Sequence, residues 1–284
     1  MNNEDIYYNK DVIQLNSEGK FLYIRHGQTD YNKDSKLIDG DQMGKYEMKW
    51  DIKYLDCKLN EDGIKQSLNL SNKLNKLKIE KIYCSPLRRC LETALYSLSS
   101  HPQNKELEII IVPLLCEGIH TIHDGSINIL EKIEYYKDFN SHNKYIMNKL
   151  KDKSYNLNYN INWEAAIDFE NIQKSYIKLY PKDKLLNFSF PDIIKKSFKE
   201  EGLRAESLPD VFNRTKEFKK YYLSVLNNNN NILKVLIFSH SGYIRCASLG
   251  INYHFPYTKE NDSLYPKEVY YPGNCEVVSI NPLE

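Results

Sequence analysis

No apolar run in this 284-residue chain approaches the roughly 20 residues that a bilayer-spanning helix needs. No excess of one charge exists either: 39 Lys and Arg stand against 38 Asp and Glu, a formal net charge of +1. That balance gives no electrostatic reason to expect nucleic acid or an anionic membrane as partner. The six cysteines (Cys57, Cys84, Cys90, Cys116, Cys246 and Cys275) include no C-x-x-C pair. A chain this long does not need a disulfide framework, so they read as free thiols of a reducing compartment. Met1 to Lys10 is polar and acidic, without the basic segment and apolar core of a signal peptide. Internal repeats and a sustained heptad seam are also missing, which leaves the oligomeric state open. A soluble, cytoplasmic protein with one domain over residues 1–284 is expected.

What is present is a rhythm of short apolar runs. Phe21–Ile24, Lys81–Cys84, Ile109–Val112 and Val235–Phe238 are continuous rather than alternating, and Cys275–Ile280 is a further candidate. Continuous runs suit strands buried on both faces, as in a parallel sheet covered by helices. Between them the apolar period turns helical. Ile64, Leu68, Leu74 and Leu77 make one stripe, with Glu61 and Asp62 in its first turn. Leu87, Leu91, Ala94, Leu95 and Leu98 make another, for which Ser85 reads as the N-cap and Pro86 as the first helical residue. Pro209–Leu226 reads as a third helix, ended by a loop of five asparagines, Asn227–Asn231. The expected fold is α/β, a three-layer αβα sandwich with a mostly parallel central sheet. Two segments break the rhythm. Lys33–Asp56 lengthens the loop after the first strand, and Ile119–Arg204 is too long for a plain loop. Residues 119–204 are read as a helical cap insertion over the mouth of the sheet, without a clear strand.

The chemistry follows the strands. Arg25-His26-Gly27 comes after the first, Ser85-Pro86-Leu87-Arg88 after the second, and Ser239-His240-Ser241-Gly242 after the last long run. Open α/β sheets bind ligands at the carboxyl ends of their strands. Two imidazoles, the guanidiniums of Arg25 and Arg88, and helix N-termini at Ser85 and Ser241 would meet there and suit a dianion such as a phosphoryl group.

Arg25-His26-Gly27-Gln28-Thr29, with Asn32 close behind, resembles the R-H-G signature of the histidine phosphatase superfamily, the phosphoglycerate-mutase-like proteins. Further segments are similar in the same order: Asp56–Gly63 to D-x-x-L-T-x-x-G, Ile82–Ala94 to S-S-P-L-x-R-x-x-x-T-A, Leu115-Cys116-Glu117 to L-x-E, Glu206-Ser207 with Arg214 to E-S-x-x-x-x-x-x-R, and Ser239–Gly242 to S-H-G-G. The matches run from about Phe21 to Ile251 and leave the cap outside. The resemblance implies a metal-independent phosphatase of a small phosphorylated metabolite, with no cofactor. His26 would be the nucleophile that forms a phosphohistidine. Arg25, Arg88 and His240 would hold the phosphoryl oxygens, and Glu117 would be the general acid and base. Gln28, Asn32 and the backbone at Ser241 would be secondary phosphate contacts.

Other readings stand beside this one. Either histidine alone could be a buried structural imidazole. Glu117 could be a surface carboxylate, since Gly118-Ile119-His120 departs from the family's usual continuation. A cofactor-dependent phosphoglycerate mutase is the alternative activity, but such mutases show R-H-G-E-S and a Trp-Asn pair where this chain has Gln28-Thr29-Asp30-Tyr31-Asn32. An inactive binding protein on the same fold is the third reading. Cys116, His120, His123 and Asp124 could be zinc ligands, although their spacing is not a standard one; substrate contact at the adjoining mouth and a plain loop are the other readings of this segment. Arg89 is read as solvent-exposed, Cys84 and Cys90 as buried inert thiols, and Lys149–Lys153 and Lys195-Lys196 as solvated faces. The cap aromatics Tyr135, Tyr136, Phe139, Trp163 and Phe169 could stack on a base or sugar, or form the cap's own core.

Overall fold

The computed structural model describes residues 13–14, 19–38, 44, 47–143, 157–177, 189–196, 205–226, 233–249 and 271–280. The five-asparagine loop, the lysines at 149–153 and parts of the 119–204 segment lie outside the described residues. Among those described, seven strands form one sheet: β1 (Ile13–Gln14), β2 (Phe21–Arg25), β3 (Lys78–Cys84), β4 (Glu108–Ile111), β5 (Asn160–Asn162), β6 (Leu233–Ser239) and β7 (Val277–Ile280). Their order is β1-β7-β2-β6-β3-β4-β5. From β2 to β5 all pairings are parallel, and only β7 runs against its neighbours β2 and β1.

The continuous apolar runs are explained by burial on two faces. Leu22, Ile24, Ile82, Cys84, Leu236 and Phe238 point into one core, and Phe21, Tyr23, Tyr83, Val235 and Ile237 into the other. The first core is closed by α2 (Glu61–Leu74) and α3 (Arg88–Leu98), which follow α1 (Asp30–Leu37) in the chain. Next come α4 (Ile129–Lys137), α5 (Phe169–Ser175) and α6 (Phe190–Lys196). The second core is closed by α7 (Leu208–Phe218), which runs on as a π-helical turn to Leu223, and by α8 (Ser241–Ala247). Helices on both faces of a mostly parallel sheet make the three-layer αβα sandwich expected from the sequence. None of the described helices is long and apolar enough to cross a membrane.

Two expectations need correction. The 119–204 segment does supply a strand, because β5 adds to β4 at the sheet edge. Its aromatics also turn inward: Tyr136, Phe139, Trp163 and Phe169 are buried in the first core, against α3. They pack along the side of the sandwich and do not line the pocket described below.

The register sets the level of the strand ends. Arg25 lies opposite Ser239 and Cys84 opposite Phe238, and the ladder continues with His26 N–H to the Ser239 carbonyl (3.1 Å) and Ser85 N–H to the Phe238 carbonyl (3.0 Å). His26, Ser85 and His240 therefore leave the sheet side by side. The loop after β2 is held by two facing glycines. A Cβ on Gly63 would lie 2.1 Å from the Gln28 carbonyl oxygen, and one on Gly27 would lie 2.7 Å from that of Gly63. Only this close approach lets Asn60 N–H reach the Gln28 carbonyl at 3.1 Å. Gly63→Ala is expected to force the His26 loop outward and destabilise the fold by about 1–3 kcal/mol in urea unfolding. An unchanged midpoint would show that the loop yields freely.

Candidate active site

A cavity of about 260 Å³ opens at these strand ends, lined among others by Arg25, His26, Asn32, Arg89, Glu117, His123, Asp124, Ser241 and Arg245. His26 is buried, and its Nδ1 lies 2.7 Å from the Gly27 carbonyl oxygen. A carbonyl only accepts, so Nδ1 carries the proton and Nε2 keeps its lone pair. Burial, followed by the charges of Arg89 and Arg25, pushes this imidazole well below the usual histidine range. Arg25 gives Nη1 to the Pro272 carbonyl at 2.8 Å, whereas its buried Nε has no protein partner among the described residues.

The second guanidinium on the cavity is Arg89, where Arg88 was expected. Arg88 does not line the cavity; its guanidinium lies 5.7 Å from the centre of the Tyr135 ring. Arg89, expected at the surface, is 1% exposed and spans the floor of the site. It donates from Nε to His240 Nδ1 (3.2 Å), from Nη1 to the His123 carbonyl (2.6 Å) and from Nη2 to Asp124 Oδ1 (3.3 Å). The reason is helical geometry, since consecutive residues point about 100° apart and one helix face takes positions four apart. Arg89 shares its face with Thr93, whose Oγ1 accepts from Gly27 N–H at 2.9 Å. Arg88 shares the next face with Glu92. The L-x-R spacing in Leu87-Arg88-Arg89 and the Thr93 beyond it carried this signal in the sequence.

His240 also departs from expectation. It is fully buried behind the cavity wall, 5.3 Å ring to ring from His26. Its Nδ1 accepts from Arg89, so Nε2 carries the proton and donates to Ser85 Oγ at 2.8 Å. Both ring nitrogens are engaged and neither is left to hold a ligand. Burial first, then Arg89, lowers its pKa well below the usual value. Gln28 turns away as well: its Oε1 accepts from Asn60 and it does not line the cavity. Asn32 does line it, while its side chain completes a capping box with Thr29 at the start of α1.

Both helix N-termini expected to be free for an anion are filled by carboxylates. The helix after β3 starts at Arg88 rather than Pro86, and Asp56 Oδ1 accepts from the Arg88 N–H at 2.8 Å. Asp56 in turn is paired with buried Lys132 at 2.5 Å. At α8, Glu117 accepts from Gly242 N–H (Oε2, 3.0 Å) and Tyr243 N–H (Oε1, 3.0 Å), and also from Gly118 N–H. Ser241 remains on the cavity wall. The backbone around Glu117 is fixed by Arg214, which donates to the carbonyls of Leu114, Cys116 and Glu117 and forms a two-pronged ion pair with buried Glu206. That gives the E-S-x-x-x-x-x-x-R pattern a physical meaning.

From the sequence, His123 and Asp124 are open between zinc ligands, substrate contacts and a plain loop. His123 stacks on Tyr31 (4.4 Å between ring centres) and lies 3.3 Å from Thr29 Oγ1. Burial and Arg89 lower its pKa well below the usual value. Asp124 is pushed up to about 6 by burial, against the opposing pull of Arg89. Among the described residues, no three His, Cys, Asp or Glu side chains converge as metal ligands, Cys116, His120, His123 and Asp124 included.

Residues 21–145 match the sequence profile of the histidine phosphatase superfamily (branch 1). A probable phosphatase of Schizosaccharomyces pombe is 33% identical over 112 residues, 39% of this chain and 45% of that protein. Fructose-2,6-bisphosphatase TIGAR B of Danio rerio is 30% identical over 102 residues, 36% of this chain and 35% of its own. The aligned stretches thus span less than half the length of these curated relatives. Among solved structures, phosphoserine phosphatase from Entamoeba histolytica in complex with 3-phosphoglyceric acid is 16% identical with a TM-score of 0.39, covering 91% of this chain and 88% of its own.

Two predictions follow from the geometry. Arg89→Ala leaves Asp124 buried without its partner and should cost about 3–5 kcal/mol in chemical unfolding, whereas Arg88→Ala, which removes a half-buried guanidinium from beside Tyr135, Tyr136 and Glu92, should cost less, about 1–2 kcal/mol. Similar losses for both would refute the assignment of Arg89 as the buried hub. In an NMR titration, the imidazoles of His26, His123 and His240 should stay neutral as the pH falls through 6.5, the ordinary histidine value. A midpoint near 6.5 for His26 would contradict its neutral, desolvated state.

Proposed function

We propose that this chain is a phosphatase that hydrolyses small phosphomonoesters through a phosphohistidine on His26, without a metal ion. The observation that carries the reading is the state of His26. It is a buried, neutral imidazole with Nδ1 held by the Gly27 carbonyl, and its bare Nε2 sits in a cavity beside two guanidiniums. A nucleophile needs that lone pair, and a phosphoryl group needs that positive surround.

In the first half-reaction, Nε2 attacks phosphorus, the ester P–O bond breaks, and the leaving oxygen takes a proton from Glu117. Water then attacks the phosphohistidine, its proton passes to Glu117, and phosphate leaves with His26 restored. Arg25 and Arg89 neutralise the charge spread over the phosphoryl oxygens, the task that metal ions perform in other phosphoryl-transfer enzymes. His240 acts through Arg89, orienting its guanidinium by accepting from Nε. Arg214 and Glu206 act through the backbone of Glu117. The phosphatase names of the curated relatives support the reaction class, and the cavity volume supports a small metabolite.

The test is release of phosphate from p-nitrophenyl phosphate by the full chain and by His26→Ala, with and without EDTA. Activity that survives EDTA and falls about 10³-fold or more in the variant is expected. Activity abolished by EDTA, or kept in His26→Ala, would overturn the proposal. Phosphoryl transfer between phosphoglycerates with no hydrolysis would make the chain a mutase.

A further inference from the structure

Arg89 takes two of its three partners, the His123 carbonyl and the Asp124 carboxylate, from residues 119–204. Two further side chains of that segment grip the elements that carry this hub, although neither lines the cavity. Lys132 on α4, 1% exposed, donates to the Pro86 carbonyl at 2.7 Å and pairs with Asp56 at 2.5 Å. Gln173 on α5, 2% exposed, donates from Nε2 to the main-chain carbonyl of Asp124 at 2.6 Å.

The start of α3 needs such support. Arg89 is the second residue of a helix whose first N–H groups find no partner within it. Asp56 supplies one from outside, accepting from Arg88 N–H at 2.8 Å, and its other oxygen accepts from Ile127 N–H at 3.2 Å. Its backbone holds φ at 46°, a left-handed conformation that residues with a Cβ seldom adopt. Lys132 thus ties α4 to the turn that leads into Arg89 at two points, the Pro86 carbonyl and Asp56. Packing alone does not call for an ammonium there, since a buried ion pair is often no more stable than apolar side chains of the same volume. An apolar side chain, however, could not hold a carbonyl and a carboxylate in place.

We propose that Lys132 and Gln173 are positioning residues that fix Arg89 beside His26, the first through the start of α3 and the second through Asp124. This rests on the phosphatase reading above and extends it. On that reading α4 and α5 brace the phosphoryl site from behind. A shift of Arg89 by about 1 Å would take its charge off the transition state, at a cost of up to about 100-fold in rate.

Lys132→Met and Gln173→Met keep unbranched side chains of similar length and remove only the polar heads. Both are measured in the full chain, at a temperature where circular dichroism shows them folded. With p-nitrophenyl phosphate, kcat is expected to fall about 10- to 100-fold, while KM moves by less than about threefold. The second readout is the NMR nitrogen signal of His240 Nδ1, which accepts from Arg89 Nε and should shift in both variants as that hydrogen bond is disturbed. A loss of stability alone would move neither quantity in the folded protein. Lys137→Met, on the same helix as Lys132 but exposed and paired with Glu134, is the control and should leave both unchanged. If Lys132→Met does not fold, Gln173→Met, an exchange without charge, decides the matter. Folded variants with the wild-type kcat, or a lowered kcat with the His240 signal unmoved, overturn the inference while the phosphatase reading stands. No hydrolysis by the wild type sinks the phosphatase reading and this inference with it.

Discussion

A guanidinium with 1% of its surface exposed is tolerated only when its charge and donors are met, and Arg89 meets them with segments 34, 35 and 151 residues away. It draws on the His123 carbonyl, the Asp124 carboxylate and the His240 ring. The loop after Glu117, the end of β6 and the start of α3 are therefore fixed relative to one another by a single side chain. The same charge lowers the pKa of His26, His123 and His240, all of them buried within its reach. Burial is the larger cause, and the group that closes the fold around the site adds to it in keeping these imidazoles neutral.

Arg214 repeats the device on the other side. Paired with Glu206, it also donates to the carbonyls of Leu114, Cys116 and Glu117. Arg89 acts on side chains and sets their charge, while Arg214 acts on carbonyls and sets a position. Neither could be exchanged for lysine without loss, because an ammonium lacks the planar fork that reaches several partners at once.

The strands were legible in the sequence because burial on two faces imposes continuous apolar runs, which few other environments demand. The site's location was legible for the same reason, since His26, Ser85 and His240 directly follow those runs. The orientation of side chains was less so. Taking Ser85 as N-cap starts α3 two residues early, and on a helix an error of one residue turns a side chain by about 100°. That is the whole distance between Arg88 against Tyr135 and Arg89 beneath His26. The role of His240 was hidden for another reason, because its ring nitrogens are taken by partners some 150 residues away. Strand β5 was hidden as well, for Asn160-Ile161-Asn162 is a short, polar edge with little of the composition that marks a strand.

The filled helix N-termini bear on how an anion can be held. A positive helix end attracts whichever carboxylate is closest, and here Asp56 and Glu117 are supplied by the chain itself. The N–H groups of Arg88, Gly242 and Tyr243 are therefore committed before any substrate arrives. On the phosphatase reading, the phosphoryl oxygens are left to guanidiniums, and Arg25, with its buried Nε lacking a protein partner among the described residues, is the donor best placed to receive them. Glu117 gains from the same arrangement. Its backbone is held by Arg214 and its carboxylate by the first turn of α8, so the group assigned to proton transfer is fixed from both ends beside the cavity. A carboxylate so held needs no rearrangement between the two half-reactions. On that reading, the helix end that might have bound phosphate instead positions the proposed acid and base.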